Sequence, residues 1–409
     1  MSEILEMGDA ELERSPGTAR RDRRRRFAGE FRVDRENRHP LVERLVDTGA
    51  TSRERADLLK DRTFPLIEPG AATFVWFGQA DTVVLRHFMS LPHAPFPFER
   101  LGEGLWHLRL SVPNGARFEY KIDIGRNGGG EWINDPLNPE VATDPFGANS
   151  ACMTWGYEVP DWARPDPGAP PGRIDRTGIA SAAFGEERPL GIYLPAGYEP
   201  ARPYPLVVVH DGFDYLDHAA LQPVLDNLIH RGDLPPLVAA LTQSPDRTTE
   251  YVDDPRHATF LADELVPALE ARHALAPEPT RRVLMGASLG AVASLSTADR
   301  VPQAFGGLVL KSGSFVVDRR KLATRGDVFH RVNAFVETLG DEERLARRAY
   351  ITCGRYEGLA SENRQIAAFL RQTGVRTRYV EPKDAHHWQN WRDQIRAGLM
   401  WCLGSGEAI

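Results

Sequence analysis

Cysteine is scarce in this sequence: Cys152, Cys353 and Cys402 are the only three in 409 residues, odd in number and far apart. Such spacing offers no disulfide framework and no zinc ligand set, and it suits a reducing compartment. Long apolar runs are also missing. No stretch approaches the ~18 residues that a membrane-spanning helix requires, so no membrane partner is expected. A basic excess is absent as well: 50 Lys and Arg stand against 57 Asp and Glu, a net charge of −7, which gives no reason to expect a nucleic-acid partner. Basic residues do gather between Arg20 and Arg26, but no apolar segment follows them. Neither a secretory nor a twin-arginine signal is therefore read there, the run is expected to be a solvated tail, and the expected location is the cytoplasm.

What is present is ordinary for a globular protein, with 42% hydrophobic and 26% charged residues, and the length suits more than one domain. Residues 1–38 contain few large apolar groups and are expected to form a disordered basic tail. Over 39–159, after one or two short helices in "LVERLVDTGATSRERADLLK", the runs "ATFVWFG", "TVVLRHF", "LWHLRLSVP" and "ARFEYKIDIG" alternate with turn residues. Short β-branched and aromatic runs at that spacing predict an all-β, immunoglobulin-like sandwich. Trp76, Trp106 and Trp132 are read as core or interface residues, with sugar stacking as the other reading. Residues 160–172 hold all five prolines of "VPDWARPDPGAPPG" and predict a semi-stiff linker. From 173 to 409 strands alternate with helices: "RPLGIYLPAGY", "YPLVVVHDG", "LVAALTQ", "RRVLMGA", "FGGLVLKSG" and "RAYITCG" read as strands, and "RHATFLADELVPALEARHAL" as one long helix. That alternation predicts an α/β domain built on a mostly parallel sheet.

One pentapeptide carries chemistry. Gly286-Ala287-Ser288-Leu289-Gly290 fits G-x-S-x-G, and a strand-like "RRVLM" enters it while a small-residue helix leaves it. That context is what a nucleophile elbow demands, because its sharp turn tolerates no β-carbons at the flanking positions. The bland reading of Ser288 is a small residue where a helix packs closely on a strand. A serine needs a base and an acid to orient the base, in the chain order Ser, acid, His for an α/β-hydrolase. Glu357 stands just past a strand end in "ITCGRYEG", and His386 and His387 follow "TRYVEP"; Glu362 and Asp384 are alternative acids. An oxyanion hole would use the N–H of Leu289 and that of Gly212 or Phe213 in "HDGFDYLD", unless Asp211-Gly212 is only a turn.

In order and spacing, "LVVVHDG", "GASLGA", "CGRYEGL" and "HHWQNWR" resemble the esterase D-like family of α/β-hydrolases, to which enterochelin esterases, feruloyl esterases and mycolyltransferases belong. The resemblance covers about Arg173 to Leu403. It implies a Ser288–His386–Glu357 triad, because the family's G-G-H-D-x-x-x-W pattern places its histidine five residues before a tryptophan, as His386 stands before Trp391. Asp384-Ala385 replace the glycine pair, and His387 replaces the aspartate. The resemblance also places Arg247 and Glu250 near the site, with Asp211, His387 and Trp388 as further substrate-facing residues. "GLWHLRLSVPNGARFEYKIDI" and "WINDPLNP" resemble the early-set sandwich found ahead of glycogen-branching enzymes, and the two-domain layout is that of enterochelin esterases. Together these imply a serine esterase without metal or cofactor, acting on a small-molecule ester such as a ferric catecholate siderophore. Arg247, Arg355 and Arg392 are candidates to face such an anion. A carbohydrate esterase and a non-catalytic binding protein with the same fold remain alternatives.

Overall fold

The computed structural model describes residues 30–46, 58–59, 62–90, 94–102, 104–319, 322, 326–340 and 347–404. Most of the expected basic tail, including Arg20 to Arg26, lies outside the described residues. The chain divides into two units, Met1–Glu158 with Lys383–His387, and Val159–Pro382 with Trp388–Ile409.

The first unit is a two-sheet β-sandwich. Leu105–Ser111 is the centre of one sheet, pairing antiparallel with Ala71–Phe77, Arg32–Val33 and Glu99–Gly102. The ten-residue strand Arg117–Arg126 organises the other sheet, with Thr82–His87 along one side and Gly147–Met153 and Gly129–Ile133 also paired to it. Alternation sets the core, since every second residue of a strand faces inward. Phe118, Tyr120, Ile122 and Ile124 are buried, and Phe74 of the opposite sheet meets Tyr120 edge-on with centroids 5.2 Å apart. The Tyr120 hydroxyl donates to Asp135 Oδ2 at 2.7 Å, which satisfies its buried polar end. Trp76 and Trp106 are core residues, whereas Trp132, expected at the core or an interface, is 49% exposed with its ring under the Arg86 guanidinium.

The second unit is built on eight strands: β1 (Arg173–Ser181), β2 (Glu186–Leu194), β3 (Leu206–His210), β4 (Val238–Thr242), β5 (Arg282–Ala287), β6 (Gly307–Lys311), β7 (Arg348–Thr352) and β8 (Arg376–Val380). Their order is β1-β2-β4-β3-β5-β6-β7-β8, antiparallel at the β1–β2 and β2–β4 pairings and parallel from there on. β3, β4 and β6 are buried along their whole length, as expected for parallel strands covered on both faces. Apolar residues pack on both sides of the sheet, around Val208, Leu284 and Leu310 on one and Val209, Met285 and Tyr350 on the other.

Three features differ from the sequence reading. β1 is mostly exposed and polar, so its sequence lacks the apolar signal; nine backbone pairs with β2 define it instead. The expected long helix from Arg256 is helical only to Glu270 and takes a π-helical turn at Phe260–Leu265. Pro267, without an N–H, cannot close the usual bond to the carbonyl four residues back. The proline-rich segment 160–172 is fastened to the second unit. Trp162 is buried, and Asn227 Nδ2 donates to the carbonyls of Trp162 and Arg164 at 2.8 and 2.7 Å.

Trp162→Ala should therefore destabilise the second unit by about 3–5 kcal/mol, the usual cost of emptying a tryptophan site. Urea unfolding measures the loss, and limited proteolysis should show new cleavage between Val159 and Gly172. An unchanged midpoint and cleavage pattern would mean that the segment is not part of the fold.

Candidate active site

Three neighbouring strands, β3, β5 and β6, each end in a residue with left-handed backbone: Asp211 (φ 56°), Ser288 (φ 57°) and Ser312 (φ 46°). Non-glycine residues there are strained by about 1–3 kcal/mol each and collect at functional sites. All three lie at the carboxyl ends of parallel strands, where open α/β sheets place their ligands.

Ser288 joins β5 to the helix Leu289–Arg300, with φ 57° and ψ −121°. It is partly exposed although the residues on both sides of it are buried. Its N–H donates to the Lys311 carbonyl at 2.9 Å, and its Oγ lies 3.0 Å from Ser314 Oγ. Gly286 is required by space, because a Cβ there would stand 2.2 Å from the Gly290 carbonyl oxygen, and Gly290 is tight, with 3.2 Å from its notional Cβ to His210 Cβ. The Leu289 N–H begins this helix, where backbone donors and the helix dipole favour an anion. After β3, Asp211 turns the chain into the helix Gly212–Ala219. A Cβ on Gly212 would stand 2.4 Å from Leu241 Cβ, so only glycine lets this helix start so close to β4. Phe213 is half-buried, with the Arg176 guanidinium 4.7 Å from its ring centroid.

Glu357 is buried just beyond β7. Its Oε1 accepts from Ser312 Oγ at 2.6 Å and from the Gly354 N–H at 2.7 Å, and Trp391 Nε1 donates to Ser312 Oγ at 2.9 Å. Asn363 clamps the following loop, accepting from the Gly313 N–H at 3.0 Å and donating to its carbonyl at 2.8 Å. The sequence reading passed over Ser312, Ser314 and Asn363. Its only signal was the small polar run Ser312-Gly313-Ser314 at the end of an apolar strand.

The residues expected to support the site or to face substrate have the following partners. Arg247 forms a two-point pair with Asp211, Nε to Oδ1 at 2.7 Å and Nη2 to Oδ2 at 2.8 Å. Burial raises the Asp211 pKa, and Arg247 only partly opposes it. Glu250 is buried, bonded to Arg188 and accepting from Ser244 Oγ at 2.7 Å. Arg392 pairs with Asp393 at 2.8 Å. The Arg355 N–H donates to the Pro382 carbonyl at 2.8 Å. Trp388 is half-buried against Tyr215 and Trp391, at centroid distances of 5.2 and 4.8 Å. In the first unit, His386 is partly exposed whereas His387 is only 5% exposed, its Nδ1 2.9 Å from Asp384 Oδ1. Of the alternative acids, Asp384 is thus engaged with His387, and Glu362 is buried. Among the described residues no group of three or more His, Cys, Asp or Glu is placed to hold a metal ion, and no helix is long and apolar enough to cross a membrane.

Fold and elbow together define an α/β-hydrolase carrying an N-terminal β-sandwich. The chain belongs to the Esterase family, described as "Putative esterase", whose model matches residues 181–402; it is a carboxylic-ester hydrolase. It is 26% identical over 274 residues to the iron(III) enterobactin esterase of Escherichia coli O6:H1, covering 66% of each chain. It is 25% identical over 239 residues to the uncharacterized protein YjcH of Bacillus subtilis, covering 56% of this chain and 96% of that one. The solved ferric enterobactin esterase of Salmonella typhimurium shares the fold, with a TM-score of 0.70 at 21% identity over 85% of this chain and 98% of the other.

Beneath the site, His210 and His257 are both buried with their Nε2 atoms 3.0 Å apart, and His210 Nδ1 lies 3.1 Å from Ser294 Oγ. Burial lowers the His210 pKa from 6.5 to about 4 and lowers that of His257 well below 6.5. The unfolded chain therefore takes up more protons as the pH falls, and stability is lost on going below 6.5. His210 alone should cost about 2 kcal/mol between pH 7.5 and 5. Urea midpoints at the two pH values measure it; a His210→Phe protein with the same acid slope would assign the loss to other groups.

Proposed function

We propose that this esterase works through an acyl-enzyme, with Ser288 as nucleophile, His386 as general base and Glu357 as the acid that orients His386. The observation that carries the reading is the partly exposed Ser288 at a left-handed strand–helix junction whose neighbours are buried. Ser288 Oγ attacks the ester carbonyl carbon while His386 takes its proton. The carbonyl oxygen becomes an oxyanion held by the N–H of Leu289 and that of Gly212 or Phe213. Collapse expels the alcohol, protonated by His386, and water repeats the sequence to release the acid and restore Ser288. In this reading Glu357 fixes the histidine tautomer and stabilises the imidazolium. Its own place is set by Ser312 and Gly354, both donating to Oε1.

For the substrate we propose a small-molecule ester of the ferric catecholate siderophore class, and the cytoplasm as the place of action. The iron(III) enterobactin esterase relative supports the first, and the scarcity of cysteine, three in 409 residues and far apart in the chain, suits the second. The chemistry needs no metal or cofactor, and neither nucleic acid nor membrane is proposed as a partner. Asp211, Arg247 and Glu250 shape the oxyanion loop and its floor in this reading, and Trp388 the wall beside Tyr215.

Ser288→Ala should lower kcat by several orders of magnitude on p-nitrophenyl acetate without loss of fold. His386→Ala should cost about as much, and the double mutant no more than either single one, because nucleophile and base act as a unit. Glu357→Gln should lower kcat strongly with little change in the thermal midpoint. An active Ser288→Ala protein would exclude the mechanism. A kcat/KM higher for acetylated sugars than for cyclic catechol-serine esters would exclude the substrate class while leaving the mechanism standing.

A further inference from the structure

Five residues late in the chain, Lys383–His387, group with the sandwich unit. What holds them there is a buried cluster of charges. Arg117 and Glu119 are two apart on one strand, so their side chains stand on the same face. The Arg117 N–H donates to the Lys383 carbonyl at 2.9 Å, and Lys383 Nζ donates to the Asn114 carbonyl at 2.9 Å. Arg117 Nη2 donates to Glu119 Oε1 at 2.9 Å, while Nη1 lies 3.6 Å from Asp384 Oδ2. Asp384 Oδ1 accepts from the Ala385 N–H at 2.7 Å and meets His387 Nδ1 at 2.9 Å. Glu119 Oε1 stands 4.0 Å from the same Nδ1, and Glu119 Oε2 accepts from Asn149 at 3.0 Å. None of Arg117, Glu119, Asp384 and His387 is more than 5% exposed.

Buried charges persist where they are paired and balanced. Two carboxylates against one guanidinium leave one negative charge, which a protonated His387 cancels. Burial pushes the His387 pKa down, but Glu119 and Asp384 outweigh it and the net shift is upward. Burial pushes Glu119 up, but His387 and Arg117 outweigh that and the net shift is downward. The same residues mark where the turn departs from the G-G-H-D pattern: Asp384-Ala385 stand for the glycines and His387 for the aspartate. Neither Asp384 nor Ala385 has positive φ, so the conformation is not one that needs glycine. Side-chain charge holds this turn.

We propose that Arg117 and Glu119 are positioning residues for ester hydrolysis, acting through Asp384 and His387 to hold the turn that presents His386. The proposal rests on His386 being the general base. Although Arg117 and Glu119 precede the catalytic domain in sequence, they should govern kcat, even for an ester too small to touch the sandwich. The charge balance also sets a pH limit. His387 keeps its proton below its raised pKa and loses it as the pH rises through that value, leaving the cluster with one uncancelled negative charge facing Glu119, Asp384 and Arg117.

The test uses the full-length chain and p-nitrophenyl acetate. Glu119→Gln and Arg117→Met should lower kcat by about 10²-fold, the effect of misplacing a catalytic group by about 1 Å, with KM within about twofold. Arg117→Lys should recover part of the loss, because it restores the charge. In Glu119→Gln the alkaline fall of kcat should move to lower pH, since His387 has lost one stabilising carboxylate. Lys121→Gln, the next position on the same strand face and outside the cluster, should change neither parameter. Thermal unfolding and circular dichroism of each variant separate positioning from loss of fold. Glu119→Gln and Arg117→Met proteins that are folded and fully active would overturn the proposal, as would kcat falling only in proportion to the folded fraction. His386→Ala, measured alongside, tests the underlying assignment separately: if it is active while His387→Ala is dead, the base is misassigned and the proposal falls with it.

Discussion

The site is built around a steric constraint, the left-handed turn at Ser288 beside Gly286, which cannot carry a side chain. With 2.2 Å between a notional Gly286 Cβ and the Gly290 carbonyl oxygen, strand and helix join more closely than any other residue allows. The strain is stabilised by its surroundings. β5 from Val283 to Ala287 and the helix from Leu289 to Ala298 are buried, so the packing of both elements opposes relaxation of the turn. Ser288 is left as the accessible residue in an otherwise closed segment. Asp211 and Ser312 also have positive φ on the flanking strand ends, so the loop after β3, the serine and the support of Glu357 come from three adjacent, over-determined turns.

A second theme is that charge is buried in pairs around these turns. Asp211 is held by Arg247, and Glu250 by Arg188. Removing one partner of such a pair leaves an uncompensated charge, so these residues are expensive to change whether or not they touch substrate. The exception is the neutral pair His210 and His257, which burial keeps unprotonated and which makes this region sensitive to acid.

Much of this could be read along the chain. The parallel strands are continuous apolar runs, the elbow has its glycines, and Glu357 follows a strand in the order the chemistry requires. The misses have physical causes. β1 is exposed and polar and carries no periodic signal, because its pairing with β2 defines it. The break in the helix after Thr259 depends on Pro267, several residues downstream. The prolines of 160–172 suggest a semi-stiff linker, and Trp162 and the bonds from Asn227 make the segment part of the second unit. Arg247 and Glu250 are placed near the site by family resemblance alone, because an ion pair between residues 36 apart, such as Arg247 with Asp211, leaves no mark in a linear reading.

By itself the sequence determined the alternation of secondary structure, the two-domain class and the strand–turn–helix at Ser288, because each depends on local conformational limits or on periodicity within one element. Only the tertiary structure decided which polar residues are partnered, and by what. Ser312 became the support of Glu357 because β6 and β7 are neighbours in the sheet. His387 became buried, with its pKa raised, because Glu119 and Asp384 stand beside it, Glu119 coming from more than two hundred residues earlier in the chain. Burial and charge pairing depend on distances in space, and a chain that returns to itself from far away sets those distances only when it folds.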